Sequence, residues 1–532
     1  MKKYFQLSIL LVSVLLFVAN LLAQGPKKTN LLFIITDQQR FDAMSIAGNK
    51  VLKTPNMDRL AKQGARFKKA YAPCAVCGPS RSSILTGATV ENTGMKINDY
   101  AYDYKKEGLM TMPTFDEILA SQGYHCEYYG KWHSLSSHAT VYKNPKKRAK
   151  NGKSIFGPEG QSYAHADFLE ENSPNRALKD GELYDQFTKR PYKPNPLDKF
   201  YGKKSVEISS QKLKAIQPDL HGELMIDKEY SLTAFQAKQT IEALERLKDS
   251  TFSITCAFHS PHAPMLPTAP YYNMYSIKDM VVPLSISDEM SNSPYTKMNG
   301  RLEHPEYADP EKVKYMISSY YGLVKEIDDW VGEILDKVEE LGLTDNTMVI
   351  FTSDHGEMLG AHGMREKNVF YEESAHIPLI ISCPGKIKKN KVVDGYISTI
   401  DLFATILDYL NGGKHTSDGK SLRGLIEGTD KHHGKFAVQE WDYRGDSEPN
   451  YMIIKDGWKL MIPYTESSKV INALYNLNSD PYEMKNLIGK NLDKEKYFVK
   501  ANELRLDLLG WLKQHKSIHY EGVKSRNLMG VN

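Results

Sequence analysis

The chain is expected to fold as an α/β protein. It would hold a large, mostly parallel sheet flanked by helices and a smaller C-terminal antiparallel sheet subdomain packed against a helix. Three observations carry that expectation. Short apolar, β-branched runs alternate with helical patterns up to about residue 430. The polar clusters at Asp37-Gln38, Lys131-Trp132-His133, His259 to Pro264 and Asp354-His355 each follow such a run. Open α/β sheets put their ligand crevice outside the carboxyl ends of the strands, so clusters far apart in sequence can converge there. Beyond residue 430 the runs become short, with turn residues between them, and end in one helical segment.

Residues 1–23 read as a secretory signal. Lys2 and Lys3 precede a mostly apolar Leu7 to Leu22, and Ala23 is a small residue suited to cleavage before Gln24. The chain is therefore expected to be exported to the periplasm or beyond. An N-terminal anchor is the alternative, although the run is short for a span. No cysteine sits at the junction for a lipid anchor, and no later stretch is apolar enough to cross a bilayer.

The catalytic-sized region is expected over 24–430. Asn30 to Thr36 is a strand buried on both faces. A helix opens near Pro55 and ends at Gly64, and another spans Pro113 to Gln122. Tyr124 to Tyr129 is a strand. From Ser134 to about 228 the periodicity fades into Gly, Pro, Lys and Asn, which reads as an irregular insertion. Ser231 to Leu247 is a helix and Ser253 to Phe258 a strand. A second irregular region leads to a long amphipathic helix over Tyr315 to Leu341, stopped by Gly342. Thr347 to Thr352 and Ile377 to Ser382 are strands. In 431–532, Tyr451 to Ile454, Trp458 to Met461 and Ala473 to Tyr475 are strand-like, with a helix around Ala501 to His515.

Composition narrows the function. In 532 residues, 41% are hydrophobic and 25% charged, as in a folded globular chain, and the net charge is only +4. That balance argues against a nucleic-acid binder. Five cysteines, Cys74, Cys77, Cys126, Cys256 and Cys383, are too few and odd in number for a disulfide scaffold.

The stretch Cys74 to Gly87, CAVCGPSRSSILTG, organises the rest. Pro79 fits a first helical position, which puts Cys77 at a helix N-terminus with Arg81 one turn along. Free N–H groups and the dipole there favour an anion. On spacing alone, Cys74 and Cys77 could equally be a structural or metal-binding pair. The longer pattern, C-x-P-S-R-x-x-x-L-T-G from Cys77 to Gly87, resembles the signature of the type I sulfatases, formylglycine-dependent members of the alkaline-phosphatase-like superfamily. Gly130-Lys131-Trp132-His133, Ser353-Asp354-His355-Gly356-Glu357, Pro261-His262-Ala263-Pro264 and Asp480-Pro481-Tyr482-Glu483 through Leu487 resemble further elements of that family.

The resemblance implies that Cys77 is oxidised by a formylglycine-generating enzyme and that its aldehyde hydrate is the nucleophile. It implies one divalent cation, Ca2+ ahead of Mg2+ or Mn2+, held by Asp37, Gln38, Cys77, Asp354 and His355. Many family members carry Asp at the position of Gln38 and Asn at that of His355. An imidazole is a poor calcium ligand, so His355 could instead bond the sulfate or the hydrate. Arg81 and Asp354 would orient the hydrate, while Lys131, His133, His262 and Lys367 would contact the sulfate, move protons or neutralise the leaving alcohol. His259 is an alternative to His262.

The expected substrate is a sulfated carbohydrate polymer or its oligosaccharides, of the ulvan, carrageenan or glycosaminoglycan type. The basic insertion residues, among them Lys143, Lys146, Lys147, Arg148, Lys193 and Lys199, with Tyr184, Tyr192 and Tyr201, read either as solvated loops or as a cleft wall attracting a polyanion. The alternatives are a phosphonate or phosphodiester hydrolase of the same superfamily, or a secreted sulfoglycan-binding protein whose Cys77 is never oxidised.

Overall fold

A computed structural model of the chain describes residues 28–98, 111–156, 160–173, 175–185, 188–195, 221–295, 305–430, 433–442, 445–465 and 468–530. The signal expected over 1–23 lies outside the described residues, as do Lys199, Tyr201, Lys203 and Lys204.

Seven strands form the main sheet: β1 (Asn30–Asp37), β2 (Ala65–Tyr71), β3 (His125–Gly130), β7 (Phe252–Pro261), β8 (Thr347–Ser353), β9 (His376–Ser382) and β10 (Lys391–Ser398). Their order is β10-β2-β9-β8-β1-β7-β3. The contiguous set β8-β1-β7-β3 is parallel throughout. β9 runs against both neighbours, and β2 and β10 are parallel to each other. The expected mostly parallel sheet is therefore present, with β9 alone reversed among the seven.

β1 shows why the sheet is buried on both sides. Leu31, Phe33 and Ile35 face a core shared with helices α3 (Phe115–Ser121) and α7 (Asp401–Tyr409). Leu32 and Ile34 face the opposite core, built with α1 (Pro55–Gln63), α5 (Leu232–Leu247) and α6 (Pro310–Glu340). A period of two on a fully apolar strand feeds both layers. α6 begins five residues before the expected Tyr315. Asp309 accepts from the N–H groups of Glu311 and Lys312, and Pro310 occupies the first turn, so a capped start supports the charged opening turn.

The insertion is not wholly irregular. It contains α4 (Gly160–Asn172) and a small antiparallel sheet of β4 (Leu183–Tyr184), β5 (Pro191–Pro194) and β6 (Gly222–Leu224). Phe168 of α4 packs on Phe235 of α5, with ring centroids 5.0 Å apart. Lys150 pairs with Glu171 at 3.1 Å, so part of the basic run is balanced locally.

The C-terminal sheet, β11 (Phe436–Glu440), β12 (Tyr451–Lys455), β13 (Trp458–Ile462) and β14 (Ala473–Asn476), is antiparallel in that order. One face, with Ile453, Leu460 and Leu474, packs on Leu504, Leu508 and Leu512 of α8 (Phe498–Gln514). The other, with Met452, Ile454 and Met461, packs on the main body. At that junction Lys459 is fully buried. It pairs with Glu372 at 2.7 Å and with Glu483 at 2.8 Å, and donates to the carbonyl of Phe370 at 2.9 Å. Among the described residues, no helix is long and apolar enough to cross a membrane.

Candidate active site

Four adjacent strands deliver most of the site. Asp37 ends β1, Lys131 and His133 follow β3, His262 follows β7, and Asp354 and His355 follow β8. Because β8, β1, β7 and β3 run in parallel, their carboxyl ends open on one edge. Gly130 makes the turn out of β3. Its φ is +112°, and a Cβ there would lie 1.8 Å from the carbonyl oxygen of Ala257, the acceptor for the Lys131 N–H at 2.9 Å. Only glycine permits that approach.

The fifth contribution is α2 (Cys77–Thr86). Cys77 opens the helix, so Pro79 falls third rather than first, still within the turn whose N–H groups lack intrahelical acceptors. All ten residues of α2 are buried. Glycine and the serines cost about 0.5–1 kcal/mol each in helix propensity. Burying Ile84 and Leu85 contributes about 1.5–3 kcal/mol each, so packing decides the helix.

Arg81, 2% exposed, is buried with its partners around it. Its Nε donates to Asp354 Oδ2 at 2.7 Å and a terminal nitrogen donates to the Lys131 carbonyl at 2.8 Å. A buried guanidinium is tolerable only with such pairing. Asp354 also accepts from the Gln38 backbone N–H at 3.1 Å, and its carbonyl accepts from Ser80 Oγ at 2.6 Å.

Cys77 Sγ is the hub. It lies 3.1 Å from His355 Nε2, 3.4 Å from Lys131 Nζ and 3.8 Å from Asp37 Oδ1, and it hydrogen-bonds His133. Burial alone would push this thiol up, but Lys131, Lys367 and His355 together bring it well below its ordinary value. Cys74 has no such company, and burial pushes it well up. Lys131 also pairs with Asp37, whose carboxyl is held low against burial by Lys131, His262 and Arg81. Burial lowers His133, which favours its neutral, proton-accepting form.

A second group adjoins the first. Lys367 Nζ donates to Gln38 Oε1 at 2.7 Å and to His262 Nε2 at 2.9 Å. His262 Nδ1 lies 2.7 Å from the Ala263 carbonyl, which fixes its proton on Nδ1. His259 lies beside His262, their rings tilted with centroids 5.2 Å apart, while burial lowers it well below an ordinary histidine. The structure thus brings together Asp37, Gln38, Cys77, Arg81, Lys131, His133, His262, Asp354, His355 and Lys367.

Ligand atoms of Asp37, Cys77, Asp354 and His355 lie within 4.8 Å of one another, all buried. Two buried carboxylates facing one point suit a hard divalent cation. Gln38 is engaged differently from a simple ligand: its Oε1 faces Lys367 and its Nε2 contacts Glu357. Glu357 was not among the residues expected from sequence, although it closes the Ser353-Asp354-His355-Gly356-Glu357 run. It is buried, orients the Gln38 amide and accepts from the Leu359 N–H at 3.0 Å. Asn98, whose Oδ1 accepts from the Gly78 N–H at 2.9 Å, carried no sequence signal.

The arrangement can position a tetrahedral anion against a nucleophile at position 77 and deliver protons from two sides. Comparison with known proteins agrees. The family model described as Sulfatase matches residues 29–412, and that of the N-sulphoglucosamine sulphohydrolase C-terminal region matches 360–507. The multifunctional alkaline phosphatase superfamily protein PehA of Trinickia caryophylli is 26% identical over 94% of this chain and 99% of its own. An ulvan-active sulfatase of Formosa agariphila is 29% identical over 87% of this chain and 78% of its own. A structure solved in complex with D-glucosamine-2-N,6-O-disulfate matches with a TM-score of 0.68 at 22% identity, covering 94% of this chain and 100% of that one. The chain belongs to the sulfatase family, as a type I sulfuric ester hydrolase of the alkaline-phosphatase-like superfamily.

Proposed function

We propose that this enzyme hydrolyses sulfate esters on a sulfated polysaccharide or its oligosaccharides, using oxidised Cys77 as nucleophile. The observation that carries the reading is the hub itself: a helix-opening cysteine within reach of Lys131, His133, His355 and Asp37. In the matured protein a hydroxyl of the formylglycine hydrate would occupy the place of the thiol sulfur. Asp37 and Asp354, with Gln38 and His355 beside them, would hold a divalent cation, proposed as Ca2+. When bound, that ion would supply positive charge to the sulfuryl oxygens.

The residues then divide the work. Asp354 and Arg81 orient the hydrate hydroxyl, and Asp354 takes its proton as the oxygen attacks sulfur. Lys131 and Lys367 offset charge on the sulfuryl oxygens. The S–O bond to the sugar breaks, and the leaving oxygen takes a proton from the hydrogen-bonded Lys367–His262 pair. His133, kept neutral by burial, removes the proton of the remaining hydroxyl. The C–O bond to sulfate then breaks, and water restores the hydrate.

Two elements of the reading rest on sequence. Residues 1–23 would direct export, with cleavage near Ala23. The catalytic unit would span 24–430 and the C-terminal subdomain 431–532. The saccharide class draws support from likeness to an ulvan-active sulfatase and from the fold shared with a glucosamine-disulfate complex. A second reading, phosphonate or phosphodiester hydrolysis, is favoured by the fold shared with phosphonate monoester hydrolases of Agrobacterium radiobacter and Silicibacter pomeroyi, at TM-scores of 0.70 and 0.71. Rates on a sulfate and a phosphodiester of one phenol separate the two.

The nucleophile is tested by two substitutions. Cys77→Ala should lower turnover at least about 10⁴-fold, since a covalent step is lost. Cys74→Ala should retain most activity. Reversed effects would assign the nucleophile to the wrong cysteine.

A further inference from the structure

A cleft of about 410 Å³ lies away from the catalytic hub, between the insertion and the first turns of α6. Its walls include Tyr272, Tyr275 and Tyr315, with Lys193 of β5, Glu223 of β6 and Ser318 of α6. That volume falls within the ordinary range of small-molecule sites. The mechanism above uses none of these residues.

One wall of the cleft belongs to α6, which reaches the catalytic end of the sheet. A short connection joins α6 to β8, so α6 runs against β8 and its first turns lie at the carboxyl ends of the strands. Tyr320 fixes this relation: its hydroxyl donates to the Gln38 carbonyl at 2.8 Å and accepts from the Arg40 N–H at 2.9 Å. The opposite wall is also tied to the site. Gly222 donates to the Met265 carbonyl at 3.3 Å and Leu224 to that of Pro267 at 3.1 Å, a few residues past His262. Both walls are therefore bonded to segments that carry catalytic groups.

The lining is chemically mixed. Tyr272 and Tyr315 are half-buried. Tyr275 is braced edge-on by Tyr321, with centroids 5.9 Å apart, and Ser318 donates to its carbonyl at 2.9 Å. Aromatic faces accept the C–H faces of sugars, and an aromatic group with a polar tip suits a ligand that is apolar on one side and wet on the other. Lys193 supplies positive charge, and it stands opposite Glu223 across the β5–β6 pair. A sugar ring with an anionic substituent beside Lys193 and a hydroxyl donating to Glu223 matches these groups.

We infer that this cleft is a second saccharide subsite, which grips a sugar unit of the same polymer at a distance from the ester being cleaved. The inference rests on the sulfated-saccharide reading of the catalytic centre. Its consequence is that remote binding energy becomes available to orient long substrates and is unavailable to short ones.

The test uses the full-length enzyme with Tyr315→Ala, Tyr315→Phe and Lys193→Ala. Native electrophoresis through gels containing ulvan, carrageenan or heparin reads binding. Rates on oligosaccharides from whichever polymer retards the protein, and on an aryl sulfate, read catalysis. At least one polymer should retard the parent enzyme. Tyr315→Ala should reduce that retardation and lower oligosaccharide kcat/KM about ten-fold, as expected for losing one ring stack. Tyr315→Phe should restore both, Lys193→Ala should weaken both in a salt-dependent way, and the aryl sulfate rate should not change. Equal loss on both substrates, unchanged binding in the variants, or no retardation in any of the three gels would overturn the subsite. Aryl sulfate turnover without retardation would overturn it and leave the sulfatase chemistry intact. Retardation lost in Tyr315→Ala, with no sulfate ester hydrolysed, would leave the subsite and remove the catalytic reading.

Discussion

Two buried clusters of charge sit in this molecule, and they are built to different ends. At the junction of the two sheets, Lys459 is enclosed by Glu372, Glu483 and the Phe370 carbonyl, each within 2.9 Å. Glu483 Oε2 also accepts from the Glu372 N–H at 2.7 Å, and His376 braces Glu372 at 3.0 Å. Every member is pinned by its neighbours, as a structural ion pair must be. At the catalytic edge, Arg81 and Asp354 are locked in the same way. Cys77 is surrounded by groups that lower its pKa, while Lys367 and His262 share one hydrogen bond beside it. The difference teaches that burial and charge alone do not mark a reactive site. A nucleophile within reach of proton donors and acceptors does.

Three perturbations separate the clusters. Chelation with EDTA should act on the catalytic cluster alone. Activity should fall at least about 100-fold and return with Ca2+, because the charge facing the sulfuryl oxygens is removed. The junction should keep its unfolding transition. Full activity in excess EDTA, with no metal by elemental analysis, would remove the cation from the account.

Lys459→Met should do the reverse. It strands two buried carboxylates and should cost about 3–5 kcal/mol at pH 7, with turnover per folded molecule changed only a few-fold. Lys459 holds Glu372 low against burial, to about 2. A depressed carboxylate contributes stability above its unfolded value, about 4.5, and that contribution is lost as pH falls through the folded value. The gap between Lys459→Met and the parent should therefore narrow as pH falls from 7 to 4, because the unpaired Glu372 and Glu483, the latter already raised to about 7, take up protons in the folded variant. Denaturant melts at pH 7 and pH 4 read this directly, and a gap independent of pH would contradict the pairing.

The third perturbation is at Glu440, also on the junction side, where its Oε2 accepts from the Val90 N–H at 2.8 Å. Burial raises this carboxyl to about 8. A raised carboxyl contributes stability that is present below the unfolded value and is lost as pH rises through the folded one. Glu440→Gln should match the parent at pH 4 and exceed it at pH 9 by up to about 5 kcal/mol, the size of a shift from 4.5 to about 8. A stabilisation that is the same at both pH values would mean the carboxyl is not buried neutral.

Much of this was legible in the chain because local signals agreed with the final partners. The apolar run of β1 and the helix α3 are where the chain implied, and the motif residues do follow β3, β7 and β8. β2 did not. Arg66, Lys68 and Lys69 interrupt ARFKKAY, and its pairing is decided by β9 and β10, some 310 residues away or more. β10, β11 and α7 were missed for the same reason, and the reversal of β9 has no local mark. Lys459 in Trp458–Ile462 carries no local mark of burial, since Glu372 lies 87 positions before it and Glu483 lies 24 after. Glu357 stood within a motif, but its grip on Gln38 depends on a strand 319 positions away.

The measurement that bears most directly on the central claim is the mass of the proteolytic peptide carrying Cys77 in an active preparation. Oxidation of the thiol to the aldehyde exchanges sulfur and two hydrogens for one oxygen. The peptide should therefore be about 18 Da lighter than the cysteine form, and the converted fraction should rise and fall with specific activity across preparations. A fully active enzyme whose Cys77 peptide carries only an unmodified thiol would contradict the account.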